Sequence, residues 1–177
     1  MAEYESNLNI RQISASDEQL ALNFHCGNAY LDMFLKSSQA LDDGVGKTYI
    51  WLEDDGMKIV GYYNISVGSI DYTDGKRRYK MGGSIHINEF ALDQNYRGEE
   101  LDGIKLSDLL LQECLNRIDY IRCEHIGFSF VTLQSTNEGY SLYLRNDFVD
   151  IEEDMDITDI EGAEGDCKPM YLSLDIM

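Results

Sequence analysis

Positive charge is scarce in this 177-residue chain: 14 Lys and Arg stand against 33 Asp and Glu, a formal net charge of −19. That deficit disfavours nonspecific binding to nucleic acid or to an anionic membrane. It favours solubility, and it also suits a basic acceptor such as an amine or a Lys-rich peptide. Proline is nearly absent: the single copy, Pro169, marks no linker, and no internal repeat is visible. Long apolar runs are missing, so nothing reads as a membrane span, and the opening MAEYESNLNIRQ lacks a signal-peptide pattern. The four cysteines, Cys26, Cys114, Cys123 and Cys167, form no C-x-x-C pair. The expectation is a cytoplasmic protein with free thiols, no metal site and no membrane partner.

What is present is a 44% hydrophobic chain of a length suited to one α/β domain over residues 1–177. LNIRQIS (8–14) alternates as a strand, and SASDEQLALNF follows as a helix with Ser14, Ser16 or Asp17 as N-cap. GNAYLDMFLKSSQALDDG places Tyr30, Leu31, Phe34, Leu35 and Leu41 near helical spacing and ends at Gly44. KTYIWLED and KIVGYYNISVGSI read as strands paired across DDG. SIHINEFALD (84–93) and HIGFSFVTL (125–133) read as buried strands. Helix 104–122 carries the stripe Leu106, Leu110, Cys114 or Leu115, Ile118 and Ile121. Its length makes a crossover that joins those two strands as parallel neighbours. STNEGYSLYLRNDF opens with a capping-box-like Ser135-x-x-Glu138 and holds a short helix. FVDIEED and KPMYLSLDI close the chain as strands, around a very acidic loop or insertion at 150–166.

The junction NYRGEELDGIKLSDLLL (95–111) holds the chemical question. A strand feeding a glycine-containing turn and a helix can offer backbone N–H groups to a pyrophosphate. Here the turn also carries Glu99, Glu100 and Asp102, which repel anions.

Three stretches carry a family likeness: FHCGNAYLDMFLKSSQALDDGVGKTYIWLEDDGMKIVGYYNISVGSI, FALDQNYRG and GYSLYLRNDFVDIEEDM. In this order and spacing they resemble the GCN5-related N-acetyltransferase family, and within it the toxin-like branch. The resemblance implies an α/β (α+β) fold: a mixed, mostly antiparallel seven-stranded sheet with helices on both faces and a splayed central strand pair. It implies acetyl-CoA as cosubstrate, with its arm along Phe90, Ala91 and Leu92. The pyrophosphate would lie over 97–107, at Arg97, Gly98, Gly103, Lys105 and Ser107, and Ser135 and Thr136 would add contacts. The loop departs from the family pattern Q/R-x-x-G-x-G/A, whose middle glycine is absent or displaced here.

The resemblance also places Tyr143 where the family donates a proton to the leaving thiolate; an unperturbed tyrosine, near pKa 10, still carries that proton at neutral pH. Glu89 is the natural base, with its face undecided by alternation, and His86 reads as a structural histidine. GKRRYK (75–80), the only basic cluster, is either a solvated hairpin tip or, as in the toxin-like branch, a contact for charged transfer RNA. Three functions stay open: an N-acetyltransferase for a primary amine on a small molecule, peptide or protein; an aminoacyl-tRNA acetylating toxin; and a noncatalytic binding module. A homodimer stays open as well.

Overall fold

The computed structural model describes residues 4–158 and 167–174. Its strands are β1 (Ile10–Gln12), β2 (Lys47–Leu52), β3 (Ile59–Asp74), β4 (Arg77–Leu92), β5 (Glu100–Leu101), β6 (Ile104–Lys105), β7 (Phe130–Ser135), β8 (Val149–Asp150), β9 (Met155–Thr158) and β10 (Lys168–Ser173). Its α-helices are α1 (Glu18–Leu22), α2 (Ala29–Lys36), α3 (Leu106–Glu124) and α4 (Tyr140–Leu144). The chain divides into two compact units, Met1–Ile65 with Glu89–Ile121, and Ser66–Asn88 with Arg122–Met177. The hydrogen-bonded strand order is β1-β2-β3-β4-β7-β10-β8, with β9 on β3. The β4–β7 pairing is parallel, whereas β1–β2, β2–β3, β3–β9, β7–β10 and β10–β8 are antiparallel.

In the first unit, β1, β2 and the start of β3 form a meander, and the core gathers around Tyr62. Phe24 meets that ring edge-on at 5.4 Å and Phe34 stacks on it at 6.1 Å, an arrangement that adds to the area each ring buries. Gly61, in the V-G-Y-Y stretch, is needed because a Cβ there would lie 2.8 Å from the Ala91 carbonyl oxygen and from Leu110. The N-cap expected among Ser14, Ser16 and Asp17 resolves into a capping box of Ser14 and Asp17. Arg11 binds the same carboxylate at 2.6 Å, and that hydrogen bond holds the Asp17 carboxyl down at about 2. α2 ends at Lys36 rather than Gly44, because Ser37 turns extended and its hydroxyl caps a short 3-10 turn over Ser38–Leu41. Tyr30 and Leu41 therefore leave the apolar stripe and are exposed, while Phe34 and Leu35 are buried.

α3 buries Leu110, Cys114 and Ile118 of the stripe its periodicity predicts, leaves Leu106 and Ile121 half-buried, and also buries Leu111 and Glu113. The Glu113 carboxylate accepts from the Tyr63 hydroxyl at 2.5 Å and from Arg117 at 2.8 Å. Arg117 also donates to the Tyr63 hydroxyl at 2.7 Å, and its guanidinium lies over the rings of Tyr4 and Tyr49. A buried charge survives only when paired and hydrogen-bonded in this way.

The second unit holds the rest of β3 and β4 with β7, β8, β9, β10 and α4. The parallel register runs from Ser84↔Phe130 to Ile87↔Leu133 and stops there, although β4 continues to Leu92 and β7 to Ser135. Three expectations need correction. The central strand starts at Arg77, not 84, since GKRRYK belongs to the β3–β4 hairpin. β9 occupies part of the acidic segment read as a loop, raising the sheet to eight strands; residues 159–166 lie outside the described residues. The N-cap of α4 is Gly139 rather than Ser135, because the Thr136 hydroxyl takes the Gly139 N–H at 3.2 Å.

Candidate active site

Glu89, Phe90, Ala91 and Leu92 close β4 in the first unit, and Arg97 to Ser107 follow in that unit. Ser135, Thr136 and Tyr143 belong to the second.

Glu89 and Ala91 are buried while Phe90 and Leu92 are half-buried, so Glu89 shares the core face of Ala91. That settles the face that alternation left open. Only 6% of Glu89 is exposed. Its Oε1 accepts a hydrogen bond from the Tyr30 hydroxyl at 2.9 Å. Burial disfavours the charged form and pushes the carboxyl up to about 7, against the opposing pull of the Tyr30 bond. A carboxyl that titrates near neutrality can take a proton and give it up again.

Beyond β4 the chain is tied to the FHCGN stretch. The Asp93 carboxylate, 4% exposed, accepts from the backbone N–H of His25 at 2.9 Å, and the Gln94 N–H donates to the His25 carbonyl at 2.8 Å. The Arg97 guanidinium donates to the Cys26 carbonyl. Arg97 thus has an anchoring role that its place in the loop pattern does not reveal. Cys26 is no nucleophile: burial raises its thiol to about 11.

The loop itself folds as a miniature hairpin. β5 pairs with β6 through Glu100↔Lys105 and Leu101↔Ile104. Asp102 and Gly103 form the turn with φ of 53° and 79°. Two positive φ values are what a two-residue hairpin turn needs, and Asp-Gly is a favoured pair there. Gly103 therefore serves the turn, and Gly98, at φ 77°, another bend. The acidic Glu99, Glu100 and Asp102 are exposed, as is Lys105. The Leu106 N–H donates to the Glu99 carbonyl at 3.0 Å, and α3 starts directly after the hairpin.

In the second unit Tyr143 is 7% exposed, and its ring meets Phe148 at 5.7 Å. The carbonyl of Tyr143 accepts from the N–H groups of Asn146 and Phe148 at 3.0 and 3.1 Å, closing α4. Asp147 takes the left-handed position there, φ 67°. Ser135 is buried, and its hydroxyl donates to the Thr136 carbonyl at 2.8 Å. His86 is buried against the Thr132 hydroxyl at 2.9 Å, and burial lowers it to about 4. It is a neutral structural histidine.

The Tyr30–Glu89 bond, the Arg97–Cys26 anchor and the Tyr63–Glu113–Arg117 network escaped the sequence reading. Glu113 and Arg117 stand four apart on the helix, which is a legible pair. Nothing local couples Tyr30 to Glu89, 59 residues away.

This strand order, with one parallel pair set in an otherwise antiparallel sheet, is the GCN5-related N-acetyltransferase fold. No family model matches the chain. A curated relative, a probable toxin TacT of Sinorhizobium fredii (strain NBRC 101917 / NGR234), is 34% identical over 120 residues. The matched stretch spans 62% of this chain and 62% of that protein. Among solved structures, AtaTR bound with AcCoA has a TM-score of 0.73 at 15% identity, covering 96% of this chain and 95% of that one. AtaT complexed with acetyl-methionyl-tRNAfMet has a TM-score of 0.72 at 14% identity, covering 96% of each. The Y-to-F variant of KacT has a TM-score of 0.67 at 16% identity, covering 97% of each. The likeness in fold therefore runs to the solved AtaT and KacT structures.

Proposed function

We propose that this protein is an acetyl-CoA-dependent N-acetyltransferase for a primary amine, and that the amine is carried by an aminoacyl-tRNA. The observation that carries the reading is Glu89, a buried carboxyl on the central strand that titrates near neutrality. AtaT, of the same fold, is solved with an acetylated methionyl-tRNA. The probable TacT toxin supports the same branch.

Acetyl-CoA supplies the acetyl thioester. Phe90 to Leu92 present the strand edge for its arm. The hairpin does not fit the glycine-rich loop pattern, but the start of α3 does fit an anion. Ser107 and Asp108 open a 19-residue helix where no intrahelical carbonyl is available to their N–H groups, and the exposed Lys105 adds positive charge. Arg97, Gly98 and Gly103 shape the chain that leads there. Ser135 and Thr136 are proposed as further contacts. Glu89 takes the proton from the acceptor amine, directly or through water, at a carboxylate oxygen. Tyr143 gives the proton of its Oη to the leaving thiolate.

An acceptor RNA must be held against a net charge of −19. At the β3–β4 tip, Arg78 is bound to Asp71 at 2.7 Å and to Asp156 at 3.2 Å. Among the described residues no ion pair engages Lys76, Arg77 or Lys80, which are exposed and are proposed as the phosphate contacts. An antitoxin is the proposed protein partner, since an AtaT variant is solved with the C-terminus of the antitoxin AtaR.

The exposed acids of the loop favour one second reading, a noncatalytic module. Calorimetry with acetyl-CoA separates the two: binding at or below about 1 mM supports the enzyme, and none at that concentration supports the module. Labelled acetyl-CoA with total aminoacyl-tRNA should then yield acetylated aminoacyl-tRNA. Labelling of free amines or peptides in its place would overturn the tRNA assignment.

A further inference from the structure

Tyr30 is out of place as a packing residue. It belongs to α2, yet 66% of it is exposed, and its hydroxyl still reaches the nearly inaccessible Glu89 carboxylate at 2.9 Å. The helix start is locked for that purpose. The Asn28 side chain accepts from the N–H groups of Tyr30 and Leu31 at 3.0 and 3.3 Å, and the Asp32 carboxylate accepts from the Cys26 N–H at 2.7 Å. The Tyr30 end of the hydrogen bond is therefore held by the capped helix start, and Glu89 stands within β4.

We propose that Tyr30 is a positioning residue whose hydroxyl fixes the Glu89 carboxylate and sets the pH range in which it accepts a proton. The inference rests on the reading of Glu89 as the base. A donor to a carboxylate stabilises the charged form, while burial opposes it. Tyr30 is the donor; β4 and the core supply the burial. The other titratable group facing Glu89 is Tyr62 of β3, which does not compete, since its hydroxyl donates to the Leu31 carbonyl at 2.7 Å. Cys26 and Asp32 also act on Tyr62 electrostatically. The Cys26 thiol, raised by burial, is neutral. Burial works against charge on Asp32, but the Cys26 N–H and its other partners outweigh burial and keep it ionised. Tyr30 is thus the one side chain among these groups that favours the charged form of Glu89. Its exposed ring also puts the bond where an arriving acceptor could displace it.

Tyr30→Phe removes the hydroxyl and keeps the exposed ring, and circular dichroism checks that the fold is retained. The experiment follows the Glu89 carboxyl by carbon NMR across pH in the free protein. It also measures the pH dependence of kcat/KM with acetyl-CoA and aminoacyl-tRNA. In Tyr30→Phe the Glu89 midpoint should rise by about one pH unit, as loss of a hydrogen bond to a charged group predicts, and the acid limb of the rate profile should rise with it. An unmoved midpoint overturns the inference whatever the activity. A midpoint that moves while the rate limb stays fixed removes Glu89 from the base role, and Tyr30's catalytic role falls with it.

Discussion

His86 and Glu89 stand three residues apart on β4, each 6% exposed and each with one hydroxyl partner, Thr132 or Tyr30. Burial drives both toward their neutral forms, yet with opposite consequences. For His86 the neutral form is the deprotonated one, so a shift down to about 4 leaves it inert at neutral pH. For Glu89 the neutral form is the protonated one, so the shift up to about 7 brings its titration into the working range. The same desolvation silences one proton acceptor and tunes the other.

The largest test of that contrast is Glu89→Gln, which keeps the shape and abolishes the titration. Turnover should fall by roughly 10²- to 10⁴-fold, and the acid limb near pH 7 should vanish. His86→Gln should leave turnover within about threefold, well below that catalytic range; an equal loss in both variants would erase the distinction. Next, Tyr143→Phe keeps the ring packed on Phe148 but removes its proton. A true donor should lose about 10²-fold or more with acetyl-CoA affinity unchanged, whereas a loss below about threefold would make Tyr143 a packing residue.

Stability against pH sharpens the comparison from both sides. Between the ordinary glutamate value of 4.5 and about 7 the native state binds more protons at Glu89 than the unfolded chain does. Stability therefore falls as pH rises through that window. Between the ordinary histidine value of 6.5 and about 4 the unfolded chain binds more protons at His86, so stability falls as pH drops through that window. Each contribution is on the order of 3 kcal/mol. Denaturant titrations should show the first slope removed in Glu89→Gln and the second in His86→Gln. Asp17, held down at about 2 by Arg11, adds a loss only at lower pH. The smallest effect lies away from both residues. Asp147→Gly relieves a left-handed backbone position, and its unfolding free energy from denaturant titration should rise by up to about 1 kcal/mol, with activity unchanged.

The elements that were legible are those whose signals are local. β2 and β3 carry alternation around an Asp-Gly turn, and α3 shows its stripe within its own 19 residues. The β4–β7 pairing followed from that helix as a crossover. β9 was obscured because nine acids in 17 residues outweigh a four-residue strand that is held by its pairing with β3. The α4 cap was misplaced because Thr136, one residue on from Ser135, provides the acceptor. In the loop, Asp-Gly was in plain sight, but a glycine pattern and a hairpin turn share the same letters.

The sequence by itself determined the charge and the order of the longer helices and strands, because periodicity, turns and composition are properties of neighbouring residues. Only the tertiary structure decided which face Glu89 takes, that Tyr30 reaches it, that Arg97 anchors the Cys26 carbonyl, and that residues 100–105 form a hairpin. Each of these joins residues through burial or hydrogen bonds made by the folded chain. Desolvation, which raises Glu89 and lowers His86, does not exist until the core closes around them.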